Sequence, residues 1–297
     1  MTSPTSAKLI LILGPTGSGK SSLIASATGE KAIVGHTMQS CTQKTRAFRL
    51  EGRKSSTYLI DTRGFSDSEV SDVQNILGLA QSLCSREPCA IQGVIYLHSI
   101  KETRFTGTAQ ANLDLLQAIC GDDFLPHVIL ATSMWDDLPP NLNLHQKFEQ
   151  RHRELEEGYW KEMVGKGARV CKYIGSKASV MEMVDVLVNT EKVPPLLRMQ
   201  KEALDLEILS ETSVGKAVAS KSVKARARLE KRLKEGDEEG DFEGDDGAIE
   251  RRELQSSWQA IEDEIASLRV ALPFQDSELA RATKQQVSIW DLVKIYL

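Results

Sequence analysis

Gly14-Pro15-Thr16-Gly17-Ser18-Gly19-Lys20-Ser21 reads G-x-x-x-x-G-K-[ST], the spacing of a phosphate-binding loop. The run before it, Lys8-Leu9-Ile10-Leu11-Ile12-Leu13, is short and apolar, as a buried strand is. The run after it, Ser22-Leu23-Ile24-Ala25-Ser26-Ala27, can open a helix. Strand, loop and helix together form the setting in which this motif works. Glycines let the backbone curl until several N–H groups point at phosphate oxygens. The helix N-terminus adds partial positive charge. In such a loop Lys20 reaches the β- and γ-phosphates, and the Ser21 hydroxyl binds Mg²⁺. A glycine-rich turn without a ligand would need no Lys-Ser pair here.

The bulk of the sequence fits that start. The chain has 297 residues, enough for one α/β domain and an appendage. It is 41% hydrophobic and 27% charged, with a formal net charge of −5. Acidity argues against a general nucleic-acid binder, which would usually be basic. No apolar run is long enough to span a membrane, so no transmembrane segment is expected. The first apolar run leads straight into the phosphate loop, which is core-strand and not signal-peptide behaviour. The cysteines, Cys41, Cys84, Cys89, Cys120 and Cys171, are odd in number and scattered. They suit reduced thiols in a cytoplasmic protein better than disulfides or a zinc site. The histidines form no pair with metal-ligand spacing and read as structural or surface residues.

Downstream, Arg46–Leu50 and Ser56–Asp61 flank a glycine-containing turn and predict a β-hairpin. The second run ends in Asp61-Thr62-Arg63-Gly64, a D-x-x-G. In phosphate-loop enzymes an Asp at this place holds Mg²⁺, and Gly64 can offer its N–H to the γ-phosphate. Helical spacing follows over Ser71–Ser85, then a strand at Gly93–His98, a polar loop at Ser99–Gly107 and a helix at Thr108–Cys120 with Gly121 as its cap. The strand His127–Thr132 ends in Ser133-Met134-Trp135-Asp136. A charged helix spans about His145–Val164. The strand Ala168–Ile174 ends in Gly175-Ser176-Lys177, and a last helix runs from Val180 to about Thr190. Alternating strands and helices predict a mostly parallel sheet covered on both faces. Such sheets bind ligands at the carboxyl ends of their strands, where each of these tetrapeptides lies.

The order of motifs resembles a Ras-like, TRAFAC-class P-loop GTPase domain over about residues 7–190. Within that superfamily it is most similar to the septin, chloroplast-import-receptor (Toc) and immunity-associated (GIMAP, AIG1-type) branch. Asp61-Thr62-Arg63-Gly64-Phe65 and Arg104-Phe105-Thr106 carry that likeness. The resemblance implies a three-layer α/β/α domain at residues 1–194 around a mostly parallel six-stranded sheet. It implies binding of GTP or GDP with Mg²⁺, through Gly14, Thr16, Gly17, Ser18, Gly19, Lys20, Ser21, Ser22, Asp61 and Gly64 on the phosphate side. Met134, Asp136, Ser176 and Lys177 would serve the base. Ser21, Asp61 and a switch threonine would hold the metal. Thr37, Thr42 and Thr45 are available for that role, with Thr42 preferred because it leaves a few residues before the hairpin. Lys20, Thr42, Gly64 and Arg104 form the implied catalytic set.

Two departures from the family pattern matter. The usual base-reading N-K-x-D is Ser133-Met134-Trp135-Asp136 here. Asp136 keeps the acceptor for the guanine N1–H and amino group, or else caps the turn that follows. Met134 offers apolar, polarizable contact without the lysine charge. Where Ras-like enzymes carry a water-orienting Gln after D-x-x-G, this chain has Phe65, which cannot orient water. The expectation is slow GTP hydrolysis by a nucleotide-dependent switch or assembly protein. Arg104 then acts in trans across a homodimer, or else is a surface arginine. The alternatives are a non-hydrolysing GTP-dependent scaffold and an ATP-using P-loop enzyme.

Residues 195–297 read as a helical extension offering helices to a protein partner. Lys216–Lys234 holds eight Lys or Arg and one Glu, and Glu235–Asp246 holds eight Asp or Glu and no basic residue. The acidic stretch, about 235–248, predicts a disordered linker. Leu254, Trp258, Ile261, Ile265, Leu268 and Leu272 form a short coiled-coil-like stripe, expected to pack on the first C-terminal helix or on the GTPase domain. Val287–Leu297 offers one further apolar face.

Overall fold

The computed structural model describes residues 7–29, 46–53, 55–65, 72–83, 90–136, 142–190, 193–206 and 208–268. Six strands, β1 (Lys8–Leu13), β2 (Arg46–Leu50), β3 (Thr57–Asp61), β4 (Ile91–Ser99), β5 (Val128–Ser133) and β6 (Arg169–Lys172), form one sheet in the order β2-β3-β1-β4-β5-β6. Only the β2–β3 hairpin is antiparallel. The expected mostly parallel six-stranded sheet is therefore present, and its strand ends carry the motifs.

Side chains alternate across the sheet, as the period of two demands. Leu9, Leu11 and Leu13 of β1 enter one apolar cluster, and Ile10 and Ile12 enter the other. On the second face pack α1 (Lys20–Thr28) and α6 (Lys177–Val188), with Leu23, Ile24, Val180, Val184 and Leu187 buried. On the first face pack α2 (Asp72–Leu83), α3 (Gly107–Cys120) and the region of α4 (Leu142–Glu154). A π-helical turn, Leu155–Tyr159, ends α4 and leads through Trp160 into the short α5 (Lys161–Gly165).

The C-terminal residues continue the first face. Helices α7 (Arg198–Asp205), α8 (Ser213–Glu239) and α9 (Gly244–Ser267) follow. Leu197, Met199, Ala203, Leu209, Val214, Val218 and Leu268 belong to the same cluster as Leu9 and Tyr96. Helix α8 lies along α3, and Lys221 Nζ donates to Asn112 Oδ1 at 3.1 Å. The extension shares its core with the sheet.

The acidic stretch is not a linker. Helix α8 runs through it to Glu239, and α9 starts at Gly244 after a four-residue turn. Charge pairing explains the order. Lys231–Glu235 and Lys234–Glu238 pair along one helix, and Arg232–Asp241, Arg232–Glu250 and Arg251–Asp237 bridge the hairpin. Gly236 leaves room for the Phe242 ring, since a Cβ there would stand 2.4 Å from that ring. The stripe on α9 faces α8, with Ile261 and Leu268 buried and Trp258 Nε1 donating to Glu230 Oε1 at 3.1 Å. Leu272 and Val287–Leu297 lie outside the described residues. No helix among the described residues is long and apolar enough to cross a membrane. Cys120 and Cys171 are free thiols.

Candidate functional site

The phosphate loop joins β1 to α1. Gly14, Gly17 and Gly19 have φ of 142°, 78° and 91°, values that favour glycine. At Gly14 space is the second reason, because a Cβ would lie 2.4 Å from the Leu97 carbonyl oxygen of β4. Gly19 is the N-cap of α1, so no side chain caps the first N–H groups of that helix. They remain directed at the loop, as an anion site requires. Lys20 is the first residue of α1 and is buried. Its ammonium donates to Gly14 O at 3.0 Å and Pro15 O at 2.6 Å. Those two bonds hold the charge over the loop's mouth. Ser18 Oγ is buried with no hydrogen-bond partner among the described residues, which fits a hydroxyl that bonds a polar ligand. Thr16 and Gly17 are exposed, and Ser21 and Ser22 are half-buried at the helix start.

The D-x-x-G segment is bound to this loop through its backbone. Phe65 N–H donates to Gly14 O at 3.1 Å, and Thr16 N–H donates to Phe65 O at 3.0 Å, a parallel bridge beyond the ends of β1 and β3. Gly64 is packed so closely that a Cβ would stand 2.7 Å from Thr16 N and 2.8 Å from Lys20 Nζ. Thr62 Oγ1 donates to Ile12 O at 2.7 Å. Asp61, buried at the end of β3, is in register with Ile12. The Phe65 side chain is 2% exposed and belongs to the first apolar cluster. Sequence alone showed that Phe65 cannot orient water. The structure adds that its ring is part of the core.

The end of β5 forms the second half of the site. Ser133 Oγ donates to Ser18 O at 2.8 Å and approaches His98 O at 3.2 Å, tying the Ser-Met-Trp-Asp turn to the phosphate loop. Met134 adopts φ 65°, and Ser99 Oγ donates to its sulfur at 3.1 Å. Such a conformation in a non-glycine residue costs about 1–3 kcal/mol and concentrates at functional sites. Trp135 is buried, donates from Nε1 to Thr132 Oγ1 at 2.9 Å, and meets Phe148 and His152 edge-on. The same Thr132 oxygen lies 2.9 Å from His152 Nδ1. Burial, and then the nearby Lys172 charge, lower the His152 pKa, with Glu149 acting in the opposite direction. Asp136, next along the chain, is exposed, and its carboxylate lies against Gly175. Ser176 caps α6 by accepting from Ser179 N–H at 3.2 Å, and Lys177 is exposed at the start of that helix. Sequence reasoning assigned no role to Ser133 or Trp135. Their signal lay in their places beside Asp136.

Arg104 stands exposed on the loop after β4. Phe105 beside it stacks on Tyr159 of the π-helical turn, with centroids 3.7 Å apart. Thr106 caps α3 by accepting from Ala109 N–H at 3.1 Å. With His98, Arg151 and Tyr159, Arg104 lines a small cavity of about 40 Å³. His98 is buried beneath the loop, edge-on to Trp160, and desolvation lowers its pKa to about 4. The folded protein therefore keeps His98 neutral, while the unfolded chain binds a proton near the ordinary histidine value. Its contribution to stability is present above pH ~6.5 and is lost as pH falls toward ~4, to a total of about 3 kcal/mol. Urea unfolding midpoints measured from pH 7 to 4 should show this slope, and His98→Phe should flatten it. Parallel curves for the two proteins would refute the assignment. Thr42, with Thr37 and Thr45, lies outside the described residues.

Asp61 at the end of β3 and Ser21 in the first turn of α1 are one carboxylate and one hydroxyl at the two elements that adjoin the loop. Among the described residues no cluster of three or more His, Cys, Asp or Glu could hold a metal. Such a sparse oxygen set fits Mg²⁺, which takes its remaining ligands from phosphate and water.

Residues 9–124 match the family model described as 50S ribosome-binding GTPase. Comparison with curated protein sequences gives no match. Among solved structures the chain is similar to Toc33 from Arabidopsis thaliana in complex with Mg²⁺ and GMPPNP. That pair shares 17% identity with a TM-score of 0.50, over 63% of this chain and 87% of that one. A dimerization-deficient mutant of Toc33 gives 15% identity and a TM-score of 0.51, over 64% and 88%. A third structure, described by the statement that dimerization is important for the GTPase activity of the chloroplast translocon components atToc33 and psToc159, gives 15% and 0.52, over 65% and 87%. At these identities the likeness to Toc33 establishes the fold alone, and the GTPase family model matches residues 9–124, the part that holds the phosphate loop and the D-x-x-G segment.

Proposed function

We propose that this GTPase domain binds GTP and GDP with Mg²⁺, hydrolyses GTP slowly alone, and is accelerated in a homodimer by Arg104 acting in trans. The reaction is attack of water on the γ-phosphate. Lys20 and the loop N–H groups stabilise the developing charge. Ser21 and Asp61 would hold Mg²⁺, which would supply further positive charge there when bound, and Asp136 accepts from the guanine edge. One observation carries the slow step: the residue after D-x-x-G is fixed to the phosphate loop by its backbone, with its side chain buried in the core. No group at that position orients water, so a further charge must come from elsewhere. Arg104 is exposed, and the two residues that follow it, Phe105 and Thr106, hold its loop in place. The importance of dimerization for the GTPase activity of the Toc proteins supports the same arrangement.

GTP turnover measured against protein concentration tests this reading. Specific activity should rise with concentration by about tenfold or more, and Arg104→Ala should remove the rise without weakening GTP binding. A rate independent of concentration would refute a dimer-activated enzyme. The burial of Phe65 favours one other reading, a non-hydrolysing GTP-dependent scaffold, which predicts tight GTP binding with no turnover at any concentration. ATP should fail to displace bound GTP under either reading.

A further inference from the structure

We infer that Ser26 and Tyr173 are positioning residues for the Asp136 carboxylate, so that the helix carrying Lys20 also sets base selectivity. The inference rests on Asp136 reading guanine. Ser26 lies under two turns beyond Lys20 on α1. Its Oγ is 3.1 Å from Gly175 O and 2.8 Å from Tyr173 OH. A serine hydroxyl has one proton, and a carbonyl only accepts. Ser26 therefore donates to Gly175 O, and Tyr173 O–H donates to Ser26 Oγ. The chain of bonds has one direction and ends on the Gly175 peptide.

Gly175 is where Asp136 rests. With φ 74° it occupies the left-handed region, and a Cβ built on it would stand 2.2 Å from Asp136 Oδ2 and 2.6 Å from Asp136 Cγ. The carboxylate thus lies directly on a backbone that Ser26 holds. Tyr173 is anchored from the other side as well, because its N–H donates to Thr132 O at 2.8 Å, four residues before Asp136. Burial raises the Tyr173 pKa, the hydrogen bond with Ser26 opposes that rise, and the Asp136 charge adds to it.

Guanine offers a carboxylate two donors, N1–H and the 2-amino group, whereas hypoxanthine offers only N1–H. The ratio of GTP to ITP affinity therefore reads carboxylate placement. Damage to phosphate binding lowers both affinities together. Dissociation constants for GTP and ITP should be measured with Mg²⁺ in the full chain and in Ser26→Ala, Ser26→Thr, Tyr173→Phe and Asp136→Ala. Ser26→Ala and Tyr173→Phe should each lower the GTP:ITP ratio by about threefold to tenfold, the worth of one hydrogen bond. The double variant should lose no more than the larger single loss, because both bonds belong to one chain. Ser26→Thr keeps the hydroxyl and should keep the ratio. Equal losses for GTP and ITP in Ser26→Ala and Tyr173→Phe would overturn the inference. If Asp136→Ala leaves the ratio unchanged, the base-reading assignment itself fails. If Asp136→Ala collapses the ratio while the Ser26 and Tyr173 variants do not, only the positioning role fails.

Discussion

Lys20→Ala is expected to lower GTP affinity by two orders of magnitude or more, roughly the worth of two charge-assisted hydrogen bonds to phosphate. The ammonium is already in place before any ligand binds. Gly14 O and Pro15 O hold it at the mouth of the loop, so little ordering remains to be done on binding. Removing it also leaves those two carbonyls without this donor. For that reason a melting curve must accompany the titration, to show that the variant folds. A folded Lys20→Ala protein with wild-type GTP affinity would refute the phosphate-loop assignment.

Phe65→Gln is expected to destabilise the protein by about 3–5 kcal/mol, because it removes a core aromatic ring and buries an amide. It is also expected not to speed hydrolysis, although it restores the residue type that Ras-like enzymes use. The reason is geometric. The Phe65 backbone is hydrogen-bonded to Gly14 and Thr16, and its side chain points into the cluster shared with Leu11 and Tyr96. A glutamine attached to that backbone would start out facing the core. Denaturant unfolding and single-turnover GTP hydrolysis check the two halves separately. Faster hydrolysis at unchanged stability would show that the segment turns outward when nucleotide binds.

Much of this was readable in the sequence. The apolar runs around the phosphate loop fix β1 and α1, and the β2–β3 hairpin and later strands follow from local pattern. Those signals are short-range, and they are strong because parallel strands are buried on both faces. What was not readable depends on partners far along the chain. The acidic run looked like a solvated linker because its net charge is high when counted locally. It folds because Arg232 and Arg251 meet it across the hairpin. Ser26 looked like an ordinary helix serine until β6 delivered Gly175 to it, 149 residues away in sequence. Trp135 and Ser133 were visible as letters, but their roles depend on Thr132, His152 and Ser18 being neighbours in space.

The two sides of the sheet are finished at different moments of synthesis. Among the described residues, the cluster around α1 and α6 draws on none beyond Val188. It can close as soon as that part of the nascent chain is free. The opposite cluster includes Leu268, whose carbonyl also accepts from Ser210 N–H at 3.0 Å. Until Leu268 is in place at the end of α9, the apolar cluster that also holds α2 and α3 is incomplete, and exposed apolar surface of this kind favours aggregation. A chain cut short of Leu268 would therefore keep every described member of the α1 and α6 cluster and lose part of the other.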